Sequence, residues 1–341
     1  MTFSRTTLVA AVVALSLTVA ACGSDDDTSA TTPAAPNATS AASEPTSDSM
    51  ATQYPVTVDN CGVEITVDAA PQKVITVDTS LAETLVALGV SDRVVGTYFD
   101  FKNGGIAAEN RTVLDGLTVL GEGGYPSREK VVTLAPDFVF AFGDSNFSQE
   151  GAPTREDLAG AAIYSSEAFG CTPGEGTVAG SFEEIRDLGI IFDRQAEAES
   201  LIVGLQTRLD AVVDKVAGAD KPKVIYWDAY DFENVRLLPF GFFQDAVVQA
   251  GGEILFADVT DENSVSKEQI ATSDADVVLA IDYGAETTSP LLPGMEELVA
   301  NTPAGADDGL GVVAVTNFPP NLQAVSLVEA IAEVLHPELM G

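Results

Sequence analysis

The chain has 341 residues, with 16 basic side chains against 52 acidic ones and a formal net charge of -36. Such a polyanion is a poor partner for nucleic acid, because neutralising phosphates needs Lys and Arg, and its acidity reads first as a solubility device. The length exceeds one typical domain and suits two halves, each large enough for its own core.

Arg5 supplies a positive start, and the apolar run Leu8–Ala20 is shorter than the about 20 residues a membrane-spanning helix needs. Residues 1–21 therefore read as a secretory leader. The leader ends in Val19-Ala20-Ala21-Cys22, which resembles the lipobox of bacterial lipoproteins. That resemblance implies cleavage before Cys22, acylation of Cys22 and a lipid anchor at the extracytoplasmic face of the cell membrane; an ordinary leader followed by an unrelated Cys is the alternative. Residues 22–53 are mostly Asp, Ser, Thr, Ala and Pro, with too little apolar surface to offset chain entropy, so a disordered tether is expected.

The folded part opens at Tyr54. Val56, Val58, Val63, Ile65 and Val67 alternate as in a hairpin turning at Asn60–Gly62, and Val74–Val77 is a β-branched run suited to a buried parallel strand. A helix beginning LAETLVALG follows, with Ser80 as its expected cap, Glu83 in the capping-box position and Gly89 at its end. Val94–Gly96 starts another strand. The stretch SREKVVTLAPDFVFA from Ser127 then predicts a helix, a break at Pro136 and a strand. Residues 54–180 form a first β-α-β half.

Residues 181–218 form the link. From Arg194 to Ala217 there is no Pro and one Gly, and Ala198, Leu201, Ile202, Leu205, Leu209, Val212, Val213 and Val216 recur at helical spacing. One long helix is predicted. Residues 219–341 repeat the first plan: strand KVIYWDAY, helix GFFQDAVVQAGG, then SKEQIATSDADVVLA from Ser266. This last stretch overlays Ser127–Ala141, with Glu129 on Glu268, Thr133 on Thr272 and Asp137 on Asp276. The fold class is α/β: two similar lobes with mainly parallel sheets, joined by one backbone helix.

Of the three Cys, Cys61 and Cys171 remain after Cys22. In an exported chain such a pair suggests a disulfide, with two buried thiols as the alternative. Two Cys and a single His leave too few soft ligands for a metal site.

The order of parts resembles the substrate-binding lipoproteins of ABC importers for ferric siderophores, haem and vitamin B12. The resemblance runs from about Tyr54 to the terminal VSLVEAIAEVLHPE, and is carried most specifically by APQKVITVDTSLAETLVALGVSDRVVGT, GFFQDAVVQAGGEILFADV and the LHPE ending. It implies a non-enzymatic, monomeric binding protein that captures its ligand between the lobes and delivers it to ABC permease subunits. In that family a surface Glu on each lobe docks on the permease; Glu129 and Glu268 occupy the matching positions, with helix capping as the plainer alternative.

Ligands of open parallel sheets sit beyond the carboxyl ends of the strands. Reading those ends selects Tyr98, Tyr125, Trp227, Tyr230, Arg236 and Phe240 as ligand-binding residues, with packing at a domain seam as the competing explanation. A siderophore brings its own oxygen ligands, so the protein need only grip an organic shell. No resident cofactor is expected, and iron arrives as part of the chelate. Cobalamin stands second. Haem is weaker, because the sole His, His336, lies in the LHPE tail. The acidic chain disfavours an anionic tris-catecholate and favours a hydroxamate complex. An enzyme reading rests on Gly143-Asp144-Ser145, reminiscent of the nucleophile box of certain esterases; those enzymes carry a terminal DxxH where this chain has Glu333-Val334-Leu335-His336 with the Asp replaced, and they have the box near the start rather than after an internal strand. A lipid-tethered adhesion module would need no cleft at all.

Overall fold

In the computed structural model, the described residues are 51–99, 107–121, 124–172, 174–229, 232–233, 235–239, 241–259, 264–282, 288–306, 309–314 and 321–341. The leader, Cys22, nearly all of the tether, Tyr230 and Phe240 lie outside them.

Alternating valines form the hairpin as predicted: β1 (Val56–Asn60) runs antiparallel to β2 (Val63–Val67), with Val58 opposite Ile65. The two-residue turn Cys61-Gly62 has φ of 59° and 75°. Two successive left-handed residues give the turn whose twist matches the flanking strands. Cys61 is disulfide-bonded to Cys171, with Cα atoms 5.0 Å apart and 110 residues between them in sequence. Asn60 fixes the hairpin tip on the first sheet, accepting from Ser165 N at 2.8 Å and donating to Ser165 O at 2.9 Å.

The first sheet follows: β3 (Val74–Asp78), α1 (Thr79–Ala87), β4 (Val94–Phe99), α2 (Ala108–Leu114), α3 (Arg128–Thr133), β5 (Phe138–Ala141) and β6 (Ala162–Ser165). Two helices, α4 (Val178–Phe192) and α5 (Gln195–Val216), lead to the second. It comprises β7 (Lys223–Trp227), α6 (Gly241–Gln249), β8 (Glu253–Ile254), α7 (Lys267–Ala271), β9 (Val277–Asp282), α8 (Leu292–Val299), α9 (Pro303–Ala306) and β10 (Leu310–Ala314), closed by α10 (Ala324–Leu335) and α11 (Pro337–Met340). Among the described residues each of these sheets has four strands, all parallel, in the orders β4-β3-β5-β6 and β8-β7-β9-β10. Within each half the first strand lies between the second and the third, so the topology repeats as well as the sequence.

The repeated stretch falls on the helix and third strand of each half, and its Asp has one structural duty. Asp137 accepts the amide N–H groups of Gln72 and Lys73 at 2.8 Å. Asp276 accepts that of Lys223, also at 2.8 Å. Each carboxylate therefore sets the start of the central strand beside its own. The helices are capped alike: Ser127 accepts from Lys130 N at 3.4 Å, and Ser266 accepts from Gln269 N at 3.3 Å.

The predicted rod is a single helix of 22 residues, α5, about 33 Å long at 1.5 Å per residue. Its buried residues Ala198, Ile202, Leu205, Leu209, Val212 and Val216 form one stripe. One continuous apolar cluster runs from the hairpin and first sheet through α4 and α5 to α6 and α10, while a second, containing Trp227 and Met295, covers the other face of the second sheet. The shared cluster stiffens the joint: truncating Leu205 or Leu209 to Ala would cost about 2–5 kcal/mol. The corner between α4 and α5 is made by Asp193 at φ 58°.

One local expectation is corrected. The cap of α1 is Asp78, whose carboxylate accepts from Ser80 N at 2.7 Å. A stronger, charged acceptor stands at the end of β3, so Ser80 lies inside the helix and Glu83 is no capping-box partner.

Candidate functional site

The carboxyl ends of the first sheet gather aromatic side chains. Tyr98 and Phe99 end β4, and Tyr125 approaches both edge-to-face, with ring centroids 6.4 and 4.8 Å away. Asn146, in the turn after β5, donates to the Tyr125 hydroxyl at 3.3 Å and accepts from Phe142 N and Gly143 N at 3.0 and 3.2 Å. Asn146 thereby fixes Tyr125. Tyr98 is wholly buried, and its hydroxyl meets no hydrogen-bond partner among the described residues. Burial holds its phenol well above the usual range.

At the second sheet, Trp227 is fully covered and stacks on Phe232 at 5.9 Å, with Lys267 Nζ 4.1 Å from the Phe232 centroid. In this conformation the indole offers no surface to a ligand. Arg236 stands on the segment that returns along β7, where Asp228 N donates to Arg236 O at 2.9 Å and Leu238 N to Tyr226 O at 2.9 Å. Its guanidinium pairs at 2.7 Å with Asp228, whose side chain is 3% exposed, while 45% of the Arg236 side chain faces solvent. The buried carboxylate thus anchors a cation at the edge of the strand ends. Tyr98 and Tyr125 are brought together, as are Trp227 and the Arg236 segment.

Glu129 and Glu268 occupy equivalent exposed positions, second in α3 and α7. The Glu268 carboxyl is held below the usual range by its own backbone amide first, then by the Ser266 hydroxyl and the Lys267 charge. Beside Glu129, Arg128 pairs with Asp157 at 2.5 Å.

Sequence reasoning missed two things. Asp228 was readable: Lys73–Asp78 and Lys223–Asp228 spell KVITVD and KVIYWD, so each central strand ends in a buried Asp. The polar contacts between the halves were not. Asn321 Nδ2 donates to Ser80 O at 2.7 Å, Gln323 Nε2 to Glu83 Oε2 at 3.0 Å, and Val178 N to Asp245 Oδ2 at 2.8 Å. Near that last bond, a Cβ on Gly241 would come within 2.9 Å of the Gly174 carbonyl carbon.

Other candidate chemistry falls away. Asp144 pairs with Arg155 at 2.6 Å, and Ser145 lies in a turn of the first half, whereas the only His is buried between α10 and α11 in the second. His336 packs against Gly251 and beside Pro222, at the amino end of β7 and so at the opposite end from Trp227 and the Arg236 segment. Among the described residues, the one group of His, Cys, Asp and Glu close enough to hold a metal is Cys61, Glu167 and Cys171. Its sulfurs are already joined to each other.

The family described as periplasmic binding protein matches residues 74–307. A cobalamin-binding protein of Halobacterium salinarum is 31% identical over 300 residues, covering 83% of this chain and 74% of the relative. A periplasmic binding protein from Veillonella parvula superposes with a TM-score of 0.71 at 20% identity, covering 83% of this chain and 97% of its own. An ABC-type Fe3+-hydroxamate transport protein from Saccharomonospora viridis gives 0.66 at 23%, covering 83% and 100%.

Proposed function

We propose that this chain, which belongs to the periplasmic binding protein family, captures an iron(III)-siderophore complex between its two halves and hands it to the permease of an ABC importer. Membership gives the coarser statement outright: it is an extracytoplasmic substrate-binding protein of ABC transport, and a binding protein rather than an enzyme. No helix among the described residues is long and apolar enough to cross a membrane; anchoring through acylated Cys22, as a monomer on a tether, completes the proposal.

One observation carries the ligand class. Among the described residues no metal-ligating cluster exists apart from the disulfide group, and the only His is buried at the wrong end of its sheet. This supports a ligand whose metal arrives already coordinated over a bare ion or a His-ligated haem. Tyr125 and Arg236 remain partly exposed at the strand ends, offering an aromatic edge and a cation to an organic shell. Tyr98 supports Tyr125 from behind, and Trp227 supports the Arg236 segment; Tyr230 and Phe240 complete the proposed lining. The net charge of -36 disfavours a highly anionic tris-catecholate, leaving neutral or cationic hydroxamates.

Cobalamin is the second reading, and the Halobacterium salinarum relative favours it. It too arrives with its metal coordinated. Trp227 is the only Trp, so its fluorescence can be titrated with ferrioxamine B, ferric enterobactin, cyanocobalamin and haemin. Saturation by ferrioxamine B supports the first reading. Saturation by cyanocobalamin alone transfers the assignment to the second, and saturation by haemin alone rejects both.

A further inference from the structure

We propose that Glu83 is a positioning residue that sets the spacing of the two halves and, through it, the rate at which bound ligand escapes. The inference rests on the reading that the ligand sits between the halves. Glu83 lies in α1 and is wholly buried. Its Oε1 accepts from Ala107 N at 2.6 Å and Asn110 Nδ2 at 3.2 Å, fixing the start of α2 in its own half. Its Oε2 accepts from Gln323 Nε2 at 3.0 Å, just before α10 in the other half.

A second tie stands beside this one. Asn321, also wholly buried, donates from Nδ2 to Ser80 O at 2.7 Å and accepts Gln323 N at 3.1 Å. Asn321 and Gln323 thus form a two-pronged hook on α1, the helix that Asp78 caps at the ligand-facing end of β3. Burial raises the Glu83 carboxyl above the usual range while these hydrogen bonds oppose the rise.

A groove of about 660 Å³ opens beside the hook, lined by Ala87, Ala107, Leu205, Leu322 and Gln323 among others. The shared apolar cluster along α5 holds the rest of the joint.

The test uses Glu83→Leu, Gln323→Leu, their double variant and Glu83→Gln. Ferrioxamine B and cyanocobalamin dissociation are followed by stopped-flow Trp227 fluorescence. Nitroxide distances are measured between Val132→Cys and Val312→Cys, on a background in which Cys22→Ser removes the remaining thiol. We expect Gln323→Leu to speed dissociation about tenfold with little change in association, and to broaden the nitroxide distance. The double variant should do no more than Glu83→Leu alone, since that change already removes the bond to Gln323. Glu83→Gln should restore wild-type behaviour, because its amide can still meet Ala107 N and a flipped Gln323. Should Glu83→Leu fail to fold, Gln323→Leu and Asn321→Leu carry the same test. Wild-type dissociation and wild-type distances in Gln323→Leu overturn the proposal. If neither probe binds the wild-type protein, the functional reading fails, yet the nitroxide distance still decides the positioning role.

Discussion

Asp276 holds the amide N–H of Lys223 at 2.8 Å, joining the start of β9 to the start of β7, and the same bond recurs between Asp137 and Lys73 at 2.8 Å in the other half. The backbones answer in the reverse direction, with Asp276 N donating to Lys223 O at 2.8 Å and Asp137 N to Lys73 O at 3.0 Å. The duplicated sequence therefore preserves a register clamp. At about 1 kcal/mol net per hydrogen bond, Asp276→Ala should lower stability by about 1 kcal/mol and Asp137→Ala, which also releases Gln72 N, by about 2 kcal/mol. The losses should add in the double variant, because the clamps share no partner. Urea midpoints measure this; unchanged midpoints would remove the structural reason for the repeated Asp.

The disulfide ties the hairpin turn to a loop whose Gly174 abuts Gly241 of the other half. Closing a loop of 110 residues restricts the unfolded chain, and removing such a bond costs about 2–5 kcal/mol. Cys61→Ser/Cys171→Ser should melt several degrees below the wild type, and a thiol reductant should reproduce the shift in the wild type alone. Equal melting of the two oxidised proteins would contradict this.

Burial pushes the Glu184 carboxyl up to about 8, with the Ser166 hydroxyl at 2.5 Å and backbone amides opposing. Asp187, one turn along α4, is pushed up to about 6, chiefly by burial and then by Glu167. In the folded state these groups keep protons that the unfolded chain releases, so their contribution to stability is fullest below the ordinary carboxylate range and is lost as pH rises towards about 8. Glu184→Gln should flatten that fall and raise stability at the alkaline end, as denaturant titrations at several pH values would register. A variant with the same pH slope as the wild type would refute the assignment.

Glu129 and Glu268 sit at matching exposed positions of α3 and α7. As permease contacts they would act by charge, so Glu129→Arg/Glu268→Arg should abolish import while ligand affinity and the melting temperature stay near wild type. Import at the wild-type rate by the doubly reversed protein would leave them as ordinary helix-start carboxylates.

Much of this architecture was legible because its signals are local. The β-branched run at Val74, the alternation at Val56–Val67 and the uninterrupted stripe of α5 each follow from one period of apolar residues. The cap of α1 was misread for an equally local reason: Ser80 and Glu83 satisfy a capping-box spacing, but Asp78 competes for the same amide and wins. Glu83 is then satisfied by residues 24 and 240 positions away, and no local pattern reports partners at that distance. Trp227 illustrates a different limit. An aromatic at the end of a strand suits both a wall and a core, and the stack on Phe232 decides for burial in this conformation. The Asp228–Arg236 pair was legible in a second comparison, between the two central strands KVITVD and KVIYWD, each followed or closed by a buried Asp.

The crystal structure of the protein with ferrioxamine B tests the capture of a preformed chelate most directly. The account predicts the iron centre between the carboxyl ends of the β3–β6 and β7–β10 sheets, with Tyr125 and Arg236 against its organic shell. A chelate seated instead in the groove beside α5, or iron stripped of its chelator and bound by protein carboxylates, would contradict it.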